Sequence, residues 1–339
     1  MDFQLSDDQR ALRTGIRELL AGRFGRDRMR AALDGGTGVD RALWRELGEA
    51  GFFALRLPET AGGVGLGLPE SVLLFEEVGR SLLPGPLIAT HLAAGAVKGA
   101  ATGEAVIAVL DAGQPVGHLG DADGLLVLGA GGAASGAGSG PGARSGAGDA
   151  PGPADGILRD VVRIREAAEP VRSLDPFTPL WQVTGRVGPV ERLSGGAHLP
   201  GGALRAEGAL LAAAEQLGSA ARTTEMAVQH AGEREQFGSP IGSFQAVKHL
   251  CAGMLVRTEL ARGAVYAAAV TADRVEIAGA KLLADDAAVR NARDCLQVHG
   301  GMGFTWEADV HLHLKRAWLR SGQWLTAATA EEALAADLC

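Results

Sequence analysis

Cysteine is scarce in this sequence, with three residues among 339, at Cys251, Cys295 and Cys339. They are scattered and form neither a close pair nor the Cys/His spacing of a metal site. Their number is odd, and two of them lie within helical patterns. We therefore expect free thiols in a reducing cytoplasm, and neither a disulfide nor a bound metal.

Long apolar runs and an excess of positive charge are absent as well. No uncharged apolar stretch approaches the ~20 residues that a membrane span needs. The chain starts with acidic residues such as Asp7 and Asp8 instead of the basic and apolar stretches of a secretory signal. The formal net charge of −8 argues against nucleic acid or an anionic membrane as the main partner. We expect a globular cytoplasmic protein without a membrane span.

Helical patterns dominate the first hundred residues. Ser6 stands in N-cap position, and apolar residues then recur at a helical period through Leu12, Ile16 and Leu20. Further helices are predicted over 41–50, 69–81 and 88–97. We predict an N-terminal α-helical domain over 1–103.

The middle of the chain is predicted to form a reduced β domain over 104–200. Strand-like apolar runs bounded by turn residues occur at 106–110, 124–128, 161–164 and 180–187. Between them, 129–156 consists almost only of Gly, Ala, Ser and Pro. Such a segment buries too little apolar surface to offset its ordering entropy, so we predict a disordered loop there.

The last third returns to long helical patterns, over 204–230, 244–272 and 276–298, the last of which ends at Gly300 and Gly301. Three long helices with shorter ones predict an antiparallel four-helix bundle over 201–339. The predicted fold class is therefore α+β and mainly α, with an α–β–α order along the chain.

Three sequence motifs lie at set places on this plan. They cover 58–66 (PETAGGVGL), 234–249 (REQFGSPIGSFQAVKH) and 297–307 (QVHGGMGFTWE). Taken singly, each is also typical of an ordinary turn, a helix end or a solvated cation. In this order they resemble the acyl-CoA dehydrogenase family, and the resemblance extends over nearly the whole chain.

The resemblance implies FAD as the cofactor, bound across a subunit boundary. In the family, the Arg-x-x-Phe-Gly element, a later glutamine and the Gln-x-x-Gly-Gly element of one subunit contact FAD. The isoalloxazine of that FAD lies mainly against the neighbouring subunit. The matching positions are Arg234, Phe237, Gln245, Gln297, Gly300 and Gly301.

The chemistry of these residue types suits a dinucleotide. A guanidinium such as Arg234 pairs with a pyrophosphate, and the glycines at 300 and 301 let backbone approach the cofactor closely. The amides of Gln245 and Gln297 can pair with an adenine edge or with ribitol hydroxyls. For Phe237, packing in the protein core is an alternative role.

The catalytic base is not where the family pattern places it. Family members carry the glutamate either in a Tyr-Glu-Gly-Thr turn or on the first long C-terminal helix, and these positions fall on Trp324 and Gly208. Glu207 is the nearest carboxylate and becomes the candidate base, although one residue turns a helix by about 100°. It is otherwise a solvated acid near a helix start. Weaker candidates are Glu215, Glu307 and Asp309.

The middle unit also lacks the family's flavin-ring contacts. Neither a Thr-Glu-Pro-type turn nor a Trp-Ile-Thr-type segment is found between Val106 and Val187. Asp175 and its neighbours resemble another family strand without supplying such contacts. His118 is expected at a surface turn. The chain thus retains the half of the cofactor site that contacts the FAD of a neighbouring subunit. It lacks much of the half that holds the flavin ring.

These losses predict a subunit of a two-component enzyme. Some bacterial family members that act on bulky acyl-CoA substrates, such as steroid side chains, pair a shortened subunit with a fuller homologue. We expect an acyl-CoA substrate, an α2β2 hetero-tetramer and an electron-transfer flavoprotein or similar acceptor. A homo-oligomer that uses Glu207, a non-catalytic assembly subunit, and a same-fold flavin enzyme acting on another acyl group remain alternatives.

Overall fold

A computed structural model describes residues 4–36, 38–111, 113–128, 156–158, 161–184, 191–192 and 203–338. The predicted loop over 129–156 lies outside these residues apart from Gly156, which begins a short strand. Cys339 also lies outside them, whereas Cys251 and Cys295 are free thiols. Within the described ranges, no helix combines the length and apolarity needed to cross a membrane.

The N-terminal part is helical. Its helices are α1 (Asp7–Arg23), α2 (Arg26–Gly35), α3 (Arg41–Glu49), α4 (Leu68–Ser81) and α5 (Leu87–Ala93). Ser6 begins α1 with a capping box, in which its hydroxyl accepts from the Gln9 N–H and the Gln9 side chain accepts from the Ser6 N–H. Sequence patterns missed α2, because Gly25 precedes it and supplies no side-chain cap.

The middle unit contains two small sheets. Its strands are β1 (Ile107–Asp111), β2 (Val116–Gly117), β3 (Gly124–Leu128), β4 (Gly156–Leu158), β5 (Ala168–Val171), β6 (Leu180–Val183) and β7 (Glu191–Arg192). The first sheet has the order β1-β3-β4-β7, with β1 and β3 parallel and Ile107 opposite Gly124. The second is antiparallel, in the order β2-β6-β5.

One strand prediction in this unit is wrong. Residues 161–164 belong to a helix, α6 (Val161–Glu166), and not to a strand. Val161 and Ile164 are buried, whereas the intervening Val162 is 58% exposed. A spacing of three residues places the two buried side chains on one face of a helix, so the β-branched composition misled the prediction.

The C-terminal part is the predicted helical bundle. It consists of α7 (Ala203–Glu233), α8 (Gln245–Thr271), α9 (Arg274–His299), α10 (Val310–Ser321) and α11 (Ala327–Asp337). A short hairpin of β8 (Glu235–Gln236) and β9 (Ser239–Pro240) connects α7 to α8. Helix α9 packs against α7, α8, α10 and α11. The chain is therefore mainly helical with small sheets, as predicted.

Two glycines let the N-terminal part pack closely on this bundle. A Cβ added at Gly79 of α4 would lie 1.8 Å from the Glu215 carbonyl oxygen, and one added at Gly218 of α7 would lie 1.8 Å from the Glu76 carbonyl oxygen. The two backbones therefore touch where α4 crosses α7. Close contact at this crossing fixes how the first helices sit on the bundle.

A buried ion pair ties the three parts together. The Arg316 Nε of α10 donates to the Asp175 Oδ2 of the middle unit at 2.5 Å, and its Nη1 donates to the Leu83 carbonyl at 3.2 Å. Both side chains are almost fully buried. Burial raises the pKa of Asp175, but Arg316 and the Thr178 hydroxyl outweigh burial and hold it below 3.8.

Candidate cofactor and active site

Arg234 follows α7 directly, at one end of the bundle. Its N–H donates to the His230 carbonyl at 2.8 Å and extends the last helical turn. Its carbonyl accepts from the Ile241 N–H at 2.8 Å, which closes the hairpin of β8 and β9. The side chain is exposed and forms no ion pair with any other residue in the described ranges. This guanidinium is available to an anion from outside the chain.

Phe237 lies at the tip of the same hairpin and is 95% exposed. Its φ of 55° is left-handed, a conformation that costs a bulky residue energy and marks the position as unusual. Its ring meets the Phe244 ring edge-on, with 6.1 Å between centroids. Core packing, the alternative role for Phe237, is therefore wrong in this chain.

The glycine pair ends α9 in open space. Gly300 has a left-handed φ of 61° and follows the last helical residue, His299. A Cβ added at Gly300 or at Gly301 would meet no atom within 4 Å. The packing of the chain itself does not require a glycine at 301. Both positions thus leave backbone free for a close approach by another molecule.

A pair of histidines joins these two elements. The rings of His230 on α7 and His299 on α9 are stacked, with centroids 4.1 Å apart and planes inclined by 16°. Beneath them an apolar cluster that includes Ala231, Met254 and Cys295 binds α7, α8 and α9 together. The structure therefore brings the Arg234 turn and the Gly300 turn side by side at one end of the bundle.

The two candidate amides lie on the elements that surround these turns. Gln245 is the first residue of α8, directly after the hairpin, and Gln297 lies in the last turn of α9. Both side chains are exposed. All six residues predicted to contact the cofactor are thus at the surface of this chain, in the hairpin connection between α7 and α8, at the start of α8 and at the end of α9.

A cavity of about 220 Å³ lies elsewhere, where the three parts of the chain meet. Its walls come from residues within 85–89 at the start of α5, 109–118 and 178–180 of the middle unit, and 318–324 at the end of α10. Side chains lining it include Asp111, His118 and Trp324. Asp111 is held by Arg205 through two hydrogen bonds, of 2.5 and 2.7 Å.

Trp324 and Gly208, the two positions at which the resemblance places the base, contact each other. A Cβ added at Gly208 would lie 2.0 Å from the Cε3 of the Trp324 indole. Trp324 is 6% exposed, has a left-handed φ of 63°, and its carbonyl accepts from the Arg205 Nη1 at 3.3 Å. An indole thus occupies the space in which a carboxylate at either position would stand.

Glu207, the candidate base, is buried but does not line the cavity. Its Oε1 accepts a hydrogen bond from the Arg56 Nη1 in an ion pair. Burial lowers the pKa of Arg56. No sequence signal marks Arg56 as a partner, because 151 residues separate the two in the chain.

The three weaker base candidates also lie away from the cavity lining. Burial raises the pKa of Glu215, while its ion pair with Arg320 opposes that rise. Asp309 is paired with Arg26 and Arg30 of α2. Glu307 is exposed. None of these carboxylates stands free in an apolar pocket, as a catalytic base in this chain would need to.

His118 is not at a surface turn, so that expectation is wrong. It is 3% exposed, has a left-handed φ of 57°, and its Nδ1 has no hydrogen-bond partner among the described residues. Burial, together with the positive charge of Arg316, lowers the pKa of His118 to about 3. The ring is therefore neutral at physiological pH and forms one side of the cavity.

Comparison with known protein families identifies two matching regions. Residues 6–105 match the family model of the N-terminal domain of acyl-CoA dehydrogenases, and residues 197–321 match that of the C-terminal domain. Together these regions cover more than half of the chain. Most of the middle unit lies between them.

Individual relatives cover most of the chain. It is 35% identical to acyl-CoA dehydrogenase IpdE2 of Mycobacterium tuberculosis, over 92% of this chain and 91% of that protein. It is also 35% identical to acyl-CoA dehydrogenase FadE34 of the same organism, where the match covers 90% of this chain but only 45% of FadE34.

Solved structures share the fold at low sequence identity. The ChsE4-ChsE5 complex from Mycobacterium tuberculosis matches with a TM-score of 0.80 and 23% identity, over 100% of this chain and 99% of the matched chain. A variant of the Tcur3481-Tcur3483 steroid ACAD matches with a TM-score of 0.77 and 23% identity, over 98% of each chain.

Proposed function

The chain belongs to the acyl-CoA dehydrogenase family of FAD-dependent oxidoreductases acting on CH–CH groups, and from this premise we propose that it is one subunit of a two-component enzyme. It holds the ADP half of FAD at the end of its bundle. A homologous partner subunit carries the flavin ring and the catalytic carboxylate. When bound, FAD supplies the acceptor for the β-hydrogen of an acyl-CoA whose α-proton a base removes.

The exposed end of the bundle fits the ADP half of the cofactor. Arg234 offers an uncommitted guanidinium for the pyrophosphate, and the open glycine pair offers backbone without a Cβ in the way. Phe237 presents an exposed aromatic face to a base such as adenine. The exposed amides of Gln245 and Gln297 are available to adenine or ribitol.

The contact between Trp324 and Gly208 is the single observation that carries the two-component proposal. An indole fills the space at both positions where the family places its base, so this chain offers no carboxylate to an acyl-CoA there. Glu207, the neighbour of Gly208 in the chain, is held in an ion pair by Arg56. An ion pair stabilises the charged form of a carboxylate and lowers its basicity, the opposite of what proton abstraction requires.

A partner subunit is supported by the surface of α8. This helix buries one apolar face in the bundle yet exposes Val256, Leu260 and Val270 by 58–64% on another. A helix that is apolar on both faces is typical of one covered on both sides. The occupant that we propose is the bundle of a homologous subunit. Two comparisons agree with a pair of homologous subunits. The chain matches about half of the longer FadE34, and the ChsE4-ChsE5 complex is among the fold neighbours.

The substrate proposed here is a CoA thioester with a bulky acyl group. One fold neighbour is a steroid ACAD, which favours a steroid side chain. Electrons then pass to an electron-transfer flavoprotein or a similar acceptor. A set of CoA thioesters that runs from short straight chains to steroid side chains, assayed on the assembled enzyme, tests the substrate directly.

The decisive experiment measures flavin stoichiometry. The chain is purified alone and together with a candidate homologous partner subunit, and the flavin spectrum and FAD content of each preparation are recorded. We expect little flavin with the chain alone and about one FAD for each pair of unlike subunits in the complex. Stoichiometric FAD on the isolated chain, with turnover of an acyl-CoA, would contradict the two-component proposal.

The position of Glu207 beside Gly208 favours one alternative, a self-sufficient homo-oligomer. In that case Glu207→Gln abolishes turnover, whereas in the two-component enzyme the same change leaves turnover nearly intact. Arg234→Ala separates a third possibility. A pure assembly subunit loses no flavin from the complex when Arg234 is replaced, while a cofactor-holding subunit does.

A further inference from the structure

The stacked rings of His230 and His299 lie between the Arg234 turn and the Gly300 turn, the two turns proposed to hold the cofactor. The His230 carbonyl accepts from the Arg234 N–H at 2.8 Å, and His299 is bonded directly to Gly300. The His299 Nδ1 lies 2.8 Å from the Cys295 carbonyl, so this nitrogen carries the proton and donates, which fixes the ring against α9. The two rings thus connect a guanidinium and a glycine pair that lie far apart in sequence.

We infer that His230 and His299 are positioning residues of the FAD site, whose stack sets the separation between the Arg234 guanidinium and the Gly300-Gly301 backbone. This inference rests on the proposed function. One rigid dinucleotide must meet both elements at once, and a small misplacement of either one weakens binding strongly. The apolar cluster next to the rings holds α7, α8 and α9 together. The stack fixes the position of the last turn of α7 relative to the last turn of α9.

The stack, with its ring centroids 4.1 Å apart, is most stable while the His230 ring is uncharged, because burial and the positive charge of Arg234 both disfavour a cation at this position. The groups around the pair are Glu233 and Arg234 at the end of α7 and Cys295 on α9. Burial, His299 and Arg234 lower the pKa of His230 from its ordinary 6.5. The stabilisation that the neutral His230 ring gives to the stack is therefore complete above pH 6.5. It is lost as the pH falls through the lowered pKa of His230.

The test uses the tagged chain in complex with its partner subunit. The FAD dissociation constant of this complex is measured by flavin fluorescence. His230→Ala removes the stack, and we expect FAD to bind about tenfold more weakly at pH 8. His230→Phe retains a stacking ring that cannot be protonated and should keep nearly the original affinity. As the pH falls from 6.5 to about 5 the original protein should lose affinity, and His230→Phe should lose less.

Two controls separate the possible outcomes. Glu331→Ala removes an exposed side chain of α11, a helix with none of the six cofactor positions, and should leave FAD affinity unchanged. Arg234→Ala tests the proposed cofactor site itself.

If Arg234→Ala releases FAD while His230→Ala and His299→Ala retain it, the positioning role is refuted and the proposed function stands. If Arg234→Ala leaves FAD in place, the cofactor site and the positioning role are both refuted. Equal losses for His230→Ala and His230→Phe would also refute the role of the stack.

Discussion

The glycines of this bundle have two different roles. Gly208 and Gly218 are required by the chain's own packing, because a Cβ at either would overlap Trp324 or the Glu76 carbonyl. Gly301 is not required in this way, since its surroundings within the chain are open. The first kind of glycine allows elements to approach each other, and the second leaves backbone free for a ligand.

At the residue scale, we predict that Gly218→Ala destabilises the protein severely. The added Cβ would lie 1.8 Å from the Glu76 carbonyl oxygen, and backbone on both helices must move to admit it. We expect a loss of about 3 kcal/mol or more in the free energy of unfolding, measured by urea denaturation. Gly15→Ala is the control, because a Cβ on this exposed residue of α1 meets nothing and should be neutral or stabilise by up to about 1 kcal/mol.

At the element scale, α2 is clamped to the loop that follows the glycine pair. Arg26 and Arg30 both donate to the Asp309 carboxylate, and both also donate to the Glu307 carbonyl, at 2.9 and 2.8 Å. Asp309 directly precedes α10. Two cations from an N-terminal helix therefore secure the connection between the C-terminal end of α9 and the helix that reaches the cavity.

We predict that Asp309→Asn loosens α2 from the bundle. The substitution removes the charge that two guanidinium groups share, and we expect a local loss of roughly 1–2 kcal/mol. Amide hydrogen exchange across 26–35 should accelerate, while exchange in the core of α7 stays slow. Arg28→Gln is the matched control, because Arg28 lies on the same helix but pairs with Asp40 at an exposed site. Equal acceleration in both variants would show that Asp309 is not the clamp.

At the scale of the whole molecule, the three parts of the chain meet at Arg316. This residue of α10 reaches Asp175 in the middle unit and the Leu83 carbonyl in the N-terminal part. Hydrophobic contact alone allows such parts to slide, whereas a buried charge pair with directed hydrogen bonds allows one arrangement. The cavity at this junction depends on that arrangement, since its walls come from all three parts.

We predict that Arg316→Met destabilises the protein by about 3–5 kcal/mol at neutral pH, because Asp175 is left buried and unpaired. In the original protein, Asp175 has a lowered pKa, so its contribution is present above pH 3.8 and is lost as the pH falls further. The difference between variant and original should therefore shrink in acid, as measured by denaturation at several pH values. Arg290→Met removes an exposed i,i+4 pair and should change stability by less than about 0.5 kcal/mol.

The sequence by itself determined the α–β–α order, the long helices of the bundle and the family. Capping residues, glycine stops and apolar periods are local signals, so Ser6 and the end of α9 at Gly300 could be predicted from neighbouring residues alone. The helix at 161–166 was mistaken for a strand, because a six-residue segment with β-branched residues carries both patterns. The six cofactor positions came from motifs and remain a prediction about binding.

Only the tertiary structure decided which distant residues meet. Trp324 lies on Gly208, Arg56 neutralises Glu207, His230 stacks on His299, and His118 is buried beside a cavity. None of these contacts has a local signal, because each joins residues from different elements. Their separation along the chain is set by topology, and their contact by packing at helix crossings and domain junctions. A motif can therefore name the residue at a family position, while only packing shows that the Trp324 indole also fills the space beside Gly208.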